Sequence, residues 1–141
     1  INQNRYNILD RTIEKNGLKD TAERLGKGII CFTPLAQGVL TDRYLNGIPA
    51  DSRVRTDGRF LKENSLDSAK IERVRRLNEI AARRGQTLAE MALAWILRDG
   101  AVTSVLIGAS KPAQILDNIK AIQNTAFTAE ELAEIDELAI G

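Results

Sequence analysis

The chain of 141 residues predicts an α/β fold of parallel strands joined by crossover helices, either a small open sheet or the last three-eighths of a (β/α)8 barrel. Three observations lead there. Short apolar runs of β type alternate with segments of helical periodicity. Two of those runs, Gly28–Thr33 and Val102–Ile107, are apolar almost throughout, the pattern of strands covered on both faces. Both open into small-residue loops carrying glycine, Phe32-Thr33-Pro34-Leu35-Ala36-Gln37-Gly38 and Gly108-Ala109-Ser110-Lys111-Pro112, the way barrels present backbone N–H groups to a ligand.

The elements follow in order. An extended stretch from Ile1 comes first, then a short helix with Leu18, Ala22 and Leu25 on one face, stopped at Gly26. Gly28–Thr33 is the next strand. From Pro34 to about Ser65 no periodicity is sustained, and Gly38, Gly47, Pro49 and Gly58 punctuate a long connection of the kind that is usually functional or disordered. Ile71, Val74, Leu77 and Ala81 then form one stripe of a helix ending near Gly85, with arginines 73, 75, 76, 83 and 84 read as its solvated side. Thr87-Leu88-Ala89-Glu90 is a capping box that opens a helix with Leu88, Met91, Ala92, Trp95 and Ile96 on one face. After the strand Val102–Ile107, Pro112 belongs in a first helical turn, and Ile115, Ile119 and Ile122 are the expected buried positions. A second capping box, Thr128-Ala129-Glu130-Glu131, starts the last helix, with Leu132, Ile135 and Leu138 inward. The implied order is strand, helix, strand, long loop, two helices, strand, two helices, with parallel strands and right-handed crossovers. Three strands do not close a barrel.

Composition narrows the function. Hydrophobic residues make up 43% and charged residues 28% of the chain, as in a soluble globular domain. Twenty cationic and nineteen anionic side chains give a net charge of +1, which leaves no field to gather nucleic acid or an acidic membrane surface. Cys31 is the single cysteine, so a disulfide framework and a multi-thiolate metal site are excluded, and a reducing cytoplasm is expected. No apolar run approaches the roughly 20 residues of a membrane helix, and the N-terminus lacks the layout of a signal peptide. An opening Ile1-Asn2-Gln3 without Met, and no histidine anywhere, lead to the expectation that the chain is part of a longer polypeptide.

Chemistry concentrates in the two loops. Gly108-Ala109-Ser110-Lys111-Pro112 enters a helix, whose free N–H groups and positive dipole end suit an anion such as phosphate. Gly108 permits close approach, while Ser110 and Lys111 add a hydroxyl and a charge. A plain helix cap beside a solvated lysine accounts for the same residues. Gln114, Asp117 and Asn118 lie on the early turns of that helix, placed for an adenine or ribose or simply exposed. Phe32, ending its strand, suits either stacking on a flat ring or the core. Arg43 and Arg53, in the long connection, are phosphate clamps or solvated arginines. The arginine-rich helix followed by a capped one superficially fits a helix-turn-helix. That reading is disfavoured, because a recognition helix exposes polar side chains and this one offers little beyond Glu90 and Arg98.

Gln3, the run Phe32-Thr33-Pro34-Leu35-Ala36-Gln37-Gly38-Val39-Leu40, the segment Gly47-Ile48-Pro49-Ala50-Asp51-Ser52-Arg53 and the run Ser104-Val105-Leu106-Ile107-Gly108-Ala109-Ser110 occur together, separated and in order. In this the chain resembles the C-terminal part of an aldo-keto reductase, over essentially its whole length. It is most similar to bacterial glyceraldehyde 3-phosphate and methylglyoxal reductases and to the potassium-channel β subunits that share their fold. The resemblance implies strands six to eight of a single (β/α)8 barrel and NADP(H) as cofactor. Small aldehydes or ketones are the implied substrates, reduced by hydride transfer; a regulatory NADPH-binding subunit is the alternative.

By position, the resemblance places Gln3 on the nicotinamide carboxamide and Phe32 against the nicotinamide ring, where the family usually has Tyr or Trp. Thr33, Pro34, Leu35, Ala36, Gln37 and Gly38 would wrap the pyrophosphate, helped by Arg43 and Arg53. Gly108, Ser110 and Lys111 would hold the adenosine phosphate end, with Gln114, Asp117 and Asn118 around the 2′-phosphate and adenine. Many relatives carry Arg at the position of Gln114 and Glu at that of Asp117, so the charge on the 2′-phosphate is reduced here and Lys111 is the residue placed to compensate. The family's Asp, Tyr, Lys and His lie on earlier strands; Tyr6 and Tyr44 do not occupy the tyrosine position, so no catalytic residue is expected in this chain and no turnover from it alone. A homo-oligomer is expected from the relatives, with neither nucleic acid nor membrane as partner.

Overall fold

The computed structural model describes residues 1–41 and 68–140. Arg43, Tyr44, Arg53 and the Gly47–Arg53 motif lie outside the described residues. Three strands form one parallel sheet in the order β1–β2–β3: β1 is Asn2–Arg5, β2 is Ile29–Phe32 and β3 is Ser104–Val105. Between β1 and β2 run two short helices, α1 (Thr12–Lys15) and α2 (Leu18–Arg24). Helices α3 (Ser68–Arg83) and α4 (Leu88–Leu97) precede β3. After it come α5 (Pro112–Ile119), a 3-10 turn (Lys120–Gln123) and α6 (Ala129–Ile140).

Register assigns the faces of the sheet. Gln3 pairs with Ile30 and Arg5 with Phe32, while Ile30 pairs with Ser104 and Cys31 with Val105. Side chains alternate along a strand, so Gln3, Arg5, Ile30, Phe32 and Ser104 share one face. Ile29 and Cys31 share the other, and both are fully buried under the helices. The sequence predicts β2 buried on both sides; instead burial alternates along it, because no element among the described residues covers the first face.

The core lies between the second face and the helices. Trp95 of α4 is fully buried at its centre, with the Tyr6 ring 5.2 Å away and the guanidinium groups of Arg98 and Arg11 at 4.0 and 4.5 Å from its own ring. Desolvated cation–π contacts of this kind contribute on the order of 1–2 kcal/mol. Arg98 also donates to the Trp95 carbonyl at 2.7 Å, and Arg11 pairs with Asp136 of α6. Tyr6 donates its hydroxyl to Glu14 at 2.6 Å; burial first, and then this bond, raises its pKa far above the usual value.

Helix ends form as their residues dictate. Thr87 and Glu90 complete the capping box reciprocally, as do Thr128 and Glu131. Gly26 and Gly85 hold φ of 68° and 72°, the left-handed turn that ends α2 and α3 and that only glycine adopts without strain. Lys19 is buried beside Asp99, to which it donates. Burial alone would raise the Asp99 carboxyl, but the Lys19 bond and the Ala101 N–H together hold it below its ordinary range.

Several expectations are corrected. The strand in Val102–Ile107 is confined to Ser104–Val105, and Leu106 and Ile107 are exposed. In the helix after it, Ile115, Ile119 and Ile122 point outward; Asn118 and Ala121 are buried instead. The apolar spacing is therefore real but faces away from α4, and helical period alone does not say which way a stripe points. Leu25 is likewise exposed. Arg84 is not solvated: its side chain is 3% exposed, lies 3.7 Å from the Phe127 ring, and donates to the Ala126 and Asn124 carbonyls and to Glu131.

Replacing Arg84 by Ala or by Lys is expected to lower stability by about 2 kcal/mol in urea unfolding, since lysine lacks the planar fork, whereas Arg76→Ala is expected to change it by less than about 0.5 kcal/mol. The Cys31 thiol, pushed up to about 11 by burial against a smaller opposing pull from Lys19, is expected to react with iodoacetamide at pH 8 about a hundredfold more slowly in the folded protein than in urea, because its thiolate is scarce.

Candidate functional site

Parallel pairing of β1, β2 and β3 brings their C-terminal ends to one edge of the sheet, and open α/β sheets bind ligands at that edge. Every candidate cofactor residue among the described ones lies on the open face, at that edge, or on the helix that leaves it. Gln3 is exposed on the open face, two residues before the end of β1. Phe32 ends β2 on the same face, half-buried.

Beyond Phe32 the chain turns sharply. Thr33, Ala36 and Gln37 hold φ of 55°, 50° and 58°, and Gly38 follows at 92°. Three non-glycine residues in the left-handed region within five positions are unusual, Thr33 most of all because it is β-branched and precedes proline. Each such residue costs on the order of 1–2 kcal/mol, and such strain clusters at ligand clamps. The turn is held by its own bonds. Ala36 N–H donates to Thr33 O at 3.2 Å, Gly38 and Leu40 N–H donate to Leu35 O at 3.1 and 3.0 Å, and Val39 N–H donates to Ala36 O. Val39 and Leu40 anchor its far end in the core, and Pro34 is buried beneath it. The N–H groups of Leu35 and Gln37 find no acceptor among the described residues.

The second loop follows β3. Leu106 N–H still donates to Cys31 O at 2.8 Å, which keeps the start of this loop beside the first. Among the described residues no atom beyond its chain neighbours lies within 4 Å of where a Cβ on Gly108 would stand, so neither their packing nor the backbone angle demands glycine there. Lys111 is the N-cap of α5, with Pro112 at its first position. Ser110 is not the cap that local sequence allows. Its N–H, its hydroxyl and the Lys111 N–H all donate to one oxygen, Gln114 Oε1, at 2.8, 3.3 and 3.3 Å. Gln114 and Ser110 thus meet across the first turn of α5. Asp117 turns toward α4, accepting from the Thr87 hydroxyl at 3.5 Å, and Asn118 is buried.

Two residues of this edge escaped the reading of the sequence. Arg5 places its guanidinium 5.8 Å from the Phe32 ring; alternation from Gln3 along β1 would have found it. Asn7, just past β1, is buried and donates from Nδ2 to Thr33 O at 2.9 Å. Its Oδ1 accepts from Leu9 and Asp10 N–H, both at 2.8 Å, the side-chain turn that Asn favours after a strand. Tyr6, beside it in sequence, faces the core and not the edge. Among the described residues no group of His, Cys, Asp and Glu is placed to hold a metal ion, and no helix is long and apolar enough to cross a membrane.

Parallel strands with an edge of strained, donor-bearing loops define an α/β protein whose candidate site is that edge. Residues 1–140 match the aldo/keto reductase family, and the chain belongs to that family. It is 51% identical over 140 residues to the L-glyceraldehyde 3-phosphate reductase of Escherichia coli K12, covering 97% of this chain and 40% of the relative. A putative voltage-gated potassium channel subunit beta of Schizosaccharomyces pombe is 35% identical, over 96% of the chain and 41% of the relative. Among solved structures, the glycerol dehydrogenase of Gluconobacter oxydans superposes with a TM-score of 0.76 at 27% identity, over 96% of the chain and 41% of its own. The chain therefore spans about two fifths of the length of these relatives.

Because the turn after Phe32 holds Gln37 in the left-handed region, Gln37→Gly is expected to raise stability by about 0.5 kcal/mol in urea unfolding, the relief of the left-handed backbone less the extra freedom of glycine when unfolded. At an ordinary loop position the same change lowers stability.

Proposed function

We propose that the chain forms strands six to eight of an aldo-keto reductase barrel and holds NADP(H) for the reduction of a small aldehyde or ketone, such as glyceraldehyde 3-phosphate or methylglyoxal. The observation that carries this is the strained turn from Thr33 to Gly38, which leaves β2 at the same C-terminal edge of the parallel sheet from which the Gly108–Ser110 loop leaves β3. A dinucleotide needs hydrogen-bond donors for its phosphates, a flat surface for its ring and room for close approach. The residues fit. Among the described residues, Leu35 and Gln37 offer N–H groups without acceptors, Phe32 offers a ring on the open face, and nothing stands within 4 Å of a Cβ position on Gly108. The oxygen of Gln114 sits on the N–H groups of Ser110 and Lys111, the same donors an anionic oxygen would take.

In this reading Gln3 orients the carboxamide and Phe32 supports one side of the ring, so that the other side faces the substrate. When bound, the reduced nicotinamide supplies a hydride. Thr33 to Gly38, with Arg43 and Arg53, hold the pyrophosphate, and Gly108, Ser110, Lys111, Gln114, Asp117 and Asn118 hold the adenosine end. The proton comes from a tyrosine outside this chain, so the chain by itself is not expected to turn over. A neutral Gln114 narrows the preference for NADPH over NADH, and Lys111 supplies the remaining charge. A cytoplasmic homo-oligomer that binds neither nucleic acid nor membrane completes the reading.

The similarity to channel β subunits favours a second reading, in which the same site binds NADPH to regulate a partner. Calorimetric titration of the full-length protein with NADPH and NADH tests both. Binding of NADPH at least as tight as that of NADH is expected, and binding of neither would overturn both readings. Oxidation of NADPH by a short aldehyde then separates enzyme from regulator.

A further inference from the structure

We infer that Asn7 is a positioning residue for the cofactor loop, an inference that rests on the dinucleotide reading of Thr33 to Gly38. Thr33 is the residue that turns the chain out of the sheet, and at φ 55° it holds a conformation costly for a β-branched side chain. Strain of this kind persists only where surrounding groups over-determine it. The carbonyl of Thr33 is where they converge. It accepts from Ala36 N–H, which closes the turn, and from Asn7 Nδ2 at 2.9 Å, which ties it to the neighbouring strand.

Asn7 is itself immobile. It is 2% exposed, its Oδ1 is engaged by Leu9 and Asp10 N–H, and its own backbone exchanges bonds with that of Asp10 at 3.1 and 3.2 Å. The amide therefore has one fixed orientation, with its donor aimed at Thr33. No other side chain among the described residues donates to the backbone of residues 33 to 37. Without that bond, the turn would populate relaxed conformations in which Thr33, Ala36 and Gln37 leave the left-handed region and the Leu35 and Gln37 N–H groups are no longer held in one arrangement. Apparent affinity falls by the fraction of molecules that remain competent, while contacts in the bound state are unchanged. The signature is a raised KM for the cofactor with kcat at saturating cofactor unaltered.

Asn7→Asp separates positioning from folding, because it keeps the acceptor for Leu9 and Asp10 and loses the donor to Thr33. In the full-length protein this variant is expected to raise Kd and KM for NADPH about tenfold, with kcat unchanged. Amide exchange at Ala36, Gly38 and Leu40 is expected to quicken while that of Leu9 and Asp10 stays slow. Asn7→Ala, which loses both functions, is expected to quicken all five. A folded Asn7→Asp protein with the parent Kd and KM would overturn the inference and leave the dinucleotide reading intact. Failure of both variants to fold would also overturn it, since Asn7 would then support the domain and not the loop. A parent protein that binds neither NADPH nor NADH would overturn the dinucleotide reading, and this inference with it.

Discussion

Parallel pairing on both sides of β2 is the constraint from which the rest follows. A parallel pair cannot be closed by a tight turn, so each strand must be reached by a crossover through helices packed on one face. That requirement puts α1 and α2 between β1 and β2, and α3 and α4 before β3. It also sends the C-terminal ends of all three strands to the same edge. The loops that follow β2 and β3, far apart in sequence, both leave from there, and Leu106 bonding to Cys31 marks where the two strands last meet.

The energetics divide along the same line. On the helix side, Ile29, Cys31, Tyr6 and Trp95 are sealed from water, and burial of large side chains at roughly 1.5–3 kcal/mol each supplies the stability. On the edge, stability is given up: Thr33, Ala36 and Gln37 adopt backbone angles that disfavour them. Buried Pro34, Val39 and Leu40, together with Asn7, hold that turn in place. A rigid, strained, donor-bearing turn beside a well-packed core is the arrangement expected of a binding site whose shape is set before the ligand arrives.

Much of this was legible in the residues. Capping boxes at Thr87 and Thr128, stops at Gly26 and Gly85, and the stripe through Val74, Leu77 and Ala81 are local signals, and local structure obeyed them. The loops after Phe32 and Ile107 were found because small residues and glycine after an apolar run have few other uses. What was misjudged depends on tertiary context. Apolar residues at 115, 119 and 122 look alike whether or not anything lies against them, and Arg84 differs from Arg76 only in what surrounds it. Within the candidate site, Phe32, Gly38 and Ser110 could be named from sequence. Asn7 could not be linked to Thr33, because the bond crosses 26 positions and no periodicity connects them. The left-handed angles at Ala36 and Gln37 carry no glycine to announce them.

The central claim is that the edge formed by these two loops holds a nicotinamide dinucleotide. A crystal structure of the full-length protein grown with NADPH tests it most directly. The pyrophosphate is expected against the N–H groups of Leu35 and Gln37, the nicotinamide on the Phe32 ring, and the adenosine phosphate at Ser110 with the Gln114 side chain moved off its donors. A nucleotide bound elsewhere, with the Thr33 to Gly38 turn and Gln114 untouched, would contradict the account.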